Sequence, residues 1–267
     1  MRPTFGRAYI EEEIRRIANH LPIPITVYLI GGGAMALRDL KAATKDLDLI
    51  VADGDEYEQL WGALIDLGYS EVKSLADEYQ ELGATSCVEN HDGCRVDIFN
   101  QQVGNKLILT DGMCDRSEPF LATDGLIVRL VANEDIFLFK LVAGREDDIE
   151  DMNMLVQAGL DYEVIQAELE EQIDRLGDDQ FVTFTNEALI ALDERYGVTT
   201  PIEDHIKALT TRYYRGLEVL LAVEEPVTIH NLAEILGMDE RTVQERVEYL
   251  EEFDRIMREG DTIFPSE

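Results

Sequence analysis

Residues 29–51, LIGGGAMALRDLKAATKDLDLIV, constrain the fold more than any other stretch. A β-rich apolar run at residues 25–30 stops at Gly31-Gly32-Gly33, and a short helical segment follows at 34–40. The chain then returns as a strand at 47–51. Side chains at i and i+2 of a strand share a face. Asp46 and Asp48 therefore lie on one side, while Leu47 and Leu49 enter a core on the other. Glycines there could merely end a strand, and aspartates could merely be solvated. What decides is whether a third carboxylate and a phosphate-binding cation follow.

The rest of the front half supplies both. Residues 9–21 read as an amphipathic helix with Ile10, Ile14 and Ile17 on one face. A helix is expected at 55–67 and strands at 85–88, 95–99 and 126–131, while 101–125 takes no clear assignment. Asp97 is a lone acid inside the apolar strand RVDIF. Asn133 opens the apolar helix NEDIFLFKLVAG, in which Lys140 needs either an acidic partner such as Asp148 or a ligand. Two carboxylates held close on one strand face repel unless a cation sits between them, and hard divalent ions favour such oxygen ligands. Asp97 could complete a three-carboxylate, two-metal site of the kind that serves in-line displacement at phosphorus. It is also the best candidate for a general base towards an attacking hydroxyl. Glycines between strand and helix let backbone N–H groups approach phosphate. Lys45 would by alternation face away from Asp46, and Thr44 is a weaker candidate still. No Ser, Cys and His are placed to suggest a nucleophilic triad.

This pattern resembles the signature of the polymerase-β-like nucleotidyltransferase superfamily over roughly residues 20–160: Ile30-Gly31-Gly32, a spacer, Asp46-Leu47-Asp48-Leu49, then Val96-Asp97-Ile98. With FKLVAGREDDIEDM it resembles in particular the minimal nucleotidyltransferases related to abortive-infection and toxin–antitoxin enzymes. The resemblance implies that Asp46, Asp48 and Asp97 bind two Mg²⁺ ions, with Mn²⁺ as an alternative. It implies that Gly31, Gly32, Gly33, Lys140, Arg145 and Asp148 contact an NTP, with Asp151 at a further matching acidic position. The family often carries a Lys just before the acidic pair, where this chain has Asp147. Implied acceptors are RNA (a tRNA end), a protein side chain or a small molecule, with a cognate antitoxin as partner.

From 147 to 196 the pattern is helical, with breaks near Gly159 and Gly177. Pro201 starts a helix with Ile202, Ile206, Leu209, Tyr213, Leu217 and Leu220 on one face. Beyond it, helix, turn at Gly237-Met238, helix and two short strands read as a winged helix-turn-helix. Arg241, Thr242, Gln244 and Arg246 fall on its second helix and are the candidate DNA contacts. Against this, residues 226–267 hold four basic residues and eleven acids, a poor balance for neutralising phosphate. The expected architecture is α+β, a nucleotidyltransferase-fold mixed sheet with flanking helices. The expected parts are a catalytic core (1–130), a helical extension completing the site (131–200) and the winged helix (201–267).

The formal charge of −33, from 56 acids and 23 bases, points to a halophilic origin. At about 1 M salt the Debye length shrinks to roughly 3 Å, which screens the self-repulsion. Cys87, Cys94 and Cys114 form no CxxC pair, and the histidines are scattered, so no zinc motif is visible. The N-terminal residues lack the apolar core of a signal peptide. The longest uncharged run, 21–37, falls short of the roughly 20 residues of a membrane span. A cytoplasmic protein without a membrane partner is expected. An alternative function is a nucleotide-sensing, DNA-binding regulator or antitoxin-like protein without turnover.

Overall fold

A computed structural model describes residues 2–72, 86–104 and 106–265. The sheet that positions the acids has seven strands. In chain order they are β1 (Ile25–Ile30), β2 (Asp46–Val51), β3 (Ser70–Glu71), β4 (Ser86–Glu89), β5 (Arg95–Asn100), β8 (Glu118–Ala122) and β9 (Leu126–Leu130). Their spatial order is β3-β4-β5-β2-β1-β9-β8. β1 runs parallel to β9 and β2 parallel to β5, while the other pairs are antiparallel, so the sheet is mixed. This is an α+β chain.

Alternation sets the faces. Leu47, Leu49, Val96 and Ile98 are buried in the core, which leaves Asp46, Asp48 and Asp97 on the other side of the same strands. Helix α1 (Arg7–Ala18) buries Ile10, Ile14 and Ile17, as its spacing requires. Helix α2 (Gly31–Leu37) begins at the first glycine, three residues earlier than the apolar pattern suggests. Helix α3 (Gly54–Asp66) is capped by Asp53, whose side chain accepts from Glu56 N at 2.8 Å.

The segment that resists assignment from sequence, 101–125, breaks into very short pieces. It holds a two-stranded hairpin of β6 (Gln102–Val103) and β7 (Leu107–Ile108), helix α4 (Asp111–Arg116) and strand β8. Elements this short carry too few residues to show a period.

Helix α5 (Asn133–Ala143) buries eight consecutive residues from Asp135 to Val142. A helix apolar all round belongs inside, and it packs against α2 and against the three helices that follow. These are α6 (Glu146–Ala158), α7 (Tyr162–Leu176) and α8 (Phe181–Tyr196). Gly159 and Gly177 end α6 and α7, where breaks are expected.

Helix α9 (Glu203–Ala222) starts two residues after Pro201. It is followed by β10 (Val227–Thr228), α10 (Ile229–Leu236), α11 (Glu240–Glu252), β11 (Met257–Glu259) and β12 (Thr262–Phe264). The three strands form a sheet in the order β10-β12-β11. Two apolar clusters result. The larger takes in Ile202 and Ile206 from the start of α9, and the smaller takes Val219 and Val223 from its end. No described helix is long and apolar enough to cross a membrane.

Candidate active site

The acids come from paired parallel strands. The register of β2 on β5 sets Asp48 directly beside Asp97, with Asp46 two residues earlier beside Arg95. Asp97 is 1% exposed, and its Oδ1 has no hydrogen-bond partner among the described residues. On its other side β4 presents Cys87. Burial pushes Asp97 up to about 6, although the Cys87 thiol hydrogen-bonds its carboxylate and opposes the rise. Asp48 is half-buried and is pushed up to about 7, by desolvation first and then by Asp97 and Asp46. Lys140 and Arg145 pull it down without compensating. Like charges have been gathered here with too little cation among them.

Asp46 has a cation of its own. The Arg2 guanidinium forms an ion pair with Asp46 Oδ1 and also donates to Lys45 O at 3.3 Å. The N-terminal segment reaches this point because Phe5 bridges Thr44, with Phe5 N donating to Thr44 O at 2.7 Å and Thr44 N to Phe5 O at 3.0 Å. With Asp46 turned to Arg2, no group of three or more His, Cys, Asp or Glu is drawn close enough to hold a metal ion among the described residues.

The glycines divide by face. Gly31 has φ +61°, a conformation open to glycine and strained for others. A Cβ there would run into Asp48 Oδ2 and lie 3.3 Å from its Cγ. A Cβ on Gly32 would lie 2.6 Å from Thr44 Oγ1. Gly31 therefore keeps space beside Asp48, and Gly32 keeps space in the cleft beside Thr44. Gly33 does not: its absent side chain would meet Leu29 Cδ1 at 3.2 Å and Leu47 Cδ2 at 3.3 Å. It lets α2 sit closely on the sheet, on the core side. Of the three glycines named from sequence, the first adjoins Asp48 and the second lines the cleft.

Facing the acids is a chain of alternating charges. Lys41 Nζ donates to Asp151 Oδ1 at 2.6 Å, and Lys140 Nζ lies 2.9 Å from Asp151 Oδ2. Lys140 Nζ also donates to Asp148 Oδ1 at 2.6 Å, and Arg145 Nε to Asp148 Oδ2 at 2.6 Å. Asp148 also accepts from Arg145 N at 3.2 Å, closing the first turn of α6. Gly144 makes the turn between the helices, with φ 60° at the end of α5. Burial would lower the Lys140 pKa, but Asp148 and Asp151 outweigh it and the value rises. Burial would raise Asp148, yet Lys140 and Arg145 hold it below the ordinary carboxylate range. Lys140 thus has the internal partner that its apolar surroundings demand. Two of its three donors are taken.

Between the acids and this chain lies a cleft of about 620 Å³, lined by Asp46, Asp48, Asp97, Lys41, Lys45, Lys140 and Arg145 among others. Strand alternation puts Lys45 on the far face, and the structure puts it in the cleft. It precedes the first residue of β2, so alternation does not govern it, and its Nζ pairs with Asp147 at 2.8 Å across the cleft. Lys41 and Arg2 are functional neighbours that sequence reasoning misses. One signal is available for the lysine: the chain has six lysines, and three of them line this one cleft.

The four residues named on α11 do not share a face. The Arg241 side chain is 88% exposed and pairs with Glu245 at 3.0 Å, and Gln244 donates to Glu248 at 2.9 Å. Thr242 bonds its own helix cap, Asp239, at 2.7 Å. Arg246 turns inward to α9, where it meets Glu218 at 2.7 Å. Helical rotation over five residues carries it away from Arg241.

Residues 8–188 match the family described as nucleotidyltransferases of unknown function (DUF6036). The chain belongs to this family. The match spans α1 to α8 and so takes in the strand acids, the glycines and the Lys140–Asp148–Arg145 cluster of this nucleotidyltransferase. No curated protein matches the sequence.

Proposed function

We propose that this nucleotidyltransferase is Mg²⁺-dependent and moves an NMP from an NTP to a hydroxyl acceptor, releasing pyrophosphate. The observation that carries the reading is the β2–β5 register, which sets Asp48 beside Asp97 and leaves an Asp97 oxygen buried without a partner. The donor set fits a hard divalent cation: three carboxylates, Asp48 and Asp97 raised by burial first and by their acidic neighbours second, and a glycine where any side chain would intrude. Asp46, Asp48 and Asp97 would hold two Mg²⁺ (or Mn²⁺), Asp46 exchanging Arg2 for the ion. Such ions neutralise charge on the attacking and leaving oxygens of a displacement at phosphorus.

The protein's own groups have separate tasks in this reading. Lys140, with one donor left over, and Arg145 would hold the triphosphate, and Asp148 would fix both at the right height. Lys41 and Lys45 widen the cationic wall. Asp97 would accept the proton of the acceptor hydroxyl as the new O–P bond forms and the bond to the leaving pyrophosphate breaks. We take the acceptor to be RNA, a protein side chain or a small molecule, and a toxin–antitoxin setting with a cognate antitoxin fits the sequence resemblance.

A second reading rests on α10, the turn at Gly237, α11 and the β11–β12 hairpin, an order that suits a winged helix-turn-helix. In it the cleft senses a nucleotide and the C-terminal module binds DNA without turnover.

The test is label transfer from each α-labelled NTP in high salt with Mg²⁺, total RNA and a lysate, against Asp46→Asn/Asp48→Asn. Label reaching a macromolecule or small molecule only with the intact aspartates is the expected result. Aspartate-dependent nucleotide binding with no transfer would replace the transferase by the sensor. Neither binding nor transfer would refute both.

A further inference from the structure

In a chain of net charge −33, a cation without a carboxylate is informative. Most Lys and Arg side chains described are tied to an acid, the examples above among them. Lys207, Arg212 and Arg215 form no ion pair among the described residues, and all three lie on α9. They border one groove of about 570 Å³ between α9 and α11, together with Arg246.

The local charge balance is positive. Two acids line the groove: Glu245, which is engaged by Arg241, and Asp204 in the first turn of α9. Arg246 is neutralised by Glu218. Three unpaired cations therefore stand against Asp204. At about 0.1 M salt the Debye length is roughly 10 Å, so acids farther than that from the groove are largely screened.

The spacing selects the ligand. Positions 207, 211 and 215 are separated by four residues each and share a helix face. Eight residues rise about 12 Å, so Lys207 and Arg215 can reach successive phosphates of one strand. The Arg212 guanidinium lies 4.7 Å over the Tyr249 ring and 5.9 Å from that of Phe253, so its planar head is already oriented. A fixed guanidinium suits bidentate contact with phosphate. The neighbouring hydroxyls are otherwise occupied, Thr211 donating to Lys207 O at 2.7 Å and Thr242 to Asp239. A groove walled by two helices and lined by cations is the kind of track that follows a single-strand backbone.

We infer that the groove between α9 and α11 binds the phosphodiester backbone of a single nucleic-acid strand, through Lys207, Arg212 and Arg215. This is a different face from the outward side of α11 that carries Arg241 and Gln244. It requires no turnover and stands whether or not the cleft transfers nucleotides.

The test uses the full chain and fluorescence anisotropy of labelled single-stranded RNA and DNA of about 12 nucleotides, with a duplex of the same sequence, over a salt series. Lys207→Glu/Arg215→Glu removes two cations that make no ion pair in the fold. Affinity for both single strands should fall more than tenfold. The slope of log K against log salt should flatten by about 1.4, at roughly 0.7 for each phosphate no longer neutralised. Gln244→Glu, on the outward side of α11 and away from the groove, should stay within about twofold of the wild type. Absence of binding by the wild type at low salt would overturn the inference. So would preferential duplex binding that is lost in Gln244→Glu and kept in the Lys207/Arg215 variant.

Discussion

Asp148→Asn isolates the buried charge chain. Asp148 is 1% exposed and receives Lys140 at 2.6 Å and Arg145 at 2.6 Å. The amide keeps the shape and removes the charge, leaving an ammonium in an apolar helix with Asp151 as its main counter-charge. Breaking a buried pair from one side destabilises by about 3–5 kcal/mol. At roughly 2–4 °C per kcal/mol for chains near this size, the melting temperature should fall by about 6–20 °C. Asp147→Asn is the contrast: its pair with Lys45 is exposed on both sides, where such pairs contribute about 0–1 kcal/mol. Calorimetric melts at low and at roughly 1 M salt separate the two, because a buried pair is poorly screened. The Asp148→Asn deficit should persist in high salt while any Asp147→Asn deficit vanishes. The sign in pH also follows. The folded pKa of Asp148 is depressed, so its contribution is present above the unfolded value near about 3.9 and is lost as pH falls through the lower folded value. The gap between wild type and variant should close only in acid. A melt of Asp148→Asn indistinguishable from wild type at neutral pH would refute the reasoning.

Other outcomes follow from the same geometry. Asp97→Asn should melt at or above the wild type at pH 8 in chelator. The folded Asp97 carboxyl is raised to about 6, so the cost of ionising it in the fold builds from the unfolded value near about 3.9 up to about 6 and is fully present at pH 8; a variant less stable at pH 8 would count against it. Gly31→Ala should lose about 1–3 kcal/mol from the positive φ alone and more from the collision with Asp48, read as a lowered midpoint in urea. Arg2→Ala should tighten Mn²⁺ binding severalfold by calorimetry, because no guanidinium then has to leave Asp46; unchanged or weaker binding would show that Arg2 does not compete for that carboxylate.

The acids are legible in the sequence because their signal is local. Asp46 and Asp48 sit at i and i+2, and Asp97 interrupts an apolar strand, so each face can be assigned without knowing the neighbours. The direct pairing of Asp48 with Asp97 needs β2 and β5 to be adjacent and parallel, which no local pattern dictates. The cationic wall is half-visible. Lys140 draws notice by standing in an apolar helix, but Lys41 reaches Asp151 over 110 residues and Arg2 reaches Asp46 over 44. The pairing of Arg246 with Glu218 is not legible, because a helix read alone does not say which side its neighbour covers; α9 takes that side.

Helix α9 gives its first turns to one apolar cluster and its last turns to the other. At 20 residues it is about 30 Å long. A truncation at residue 200 would strip Ile202 and Ile206 from the larger cluster, forfeiting roughly 1.5–3 kcal/mol for each side chain. Tyr249 and Arg255 of the C-terminal part also grip Asp179, which joins α7 to α8. The front and rear of the chain therefore share one continuous helix and a buried acid between them. Removing the rear should therefore soften the helices behind the cleft as well.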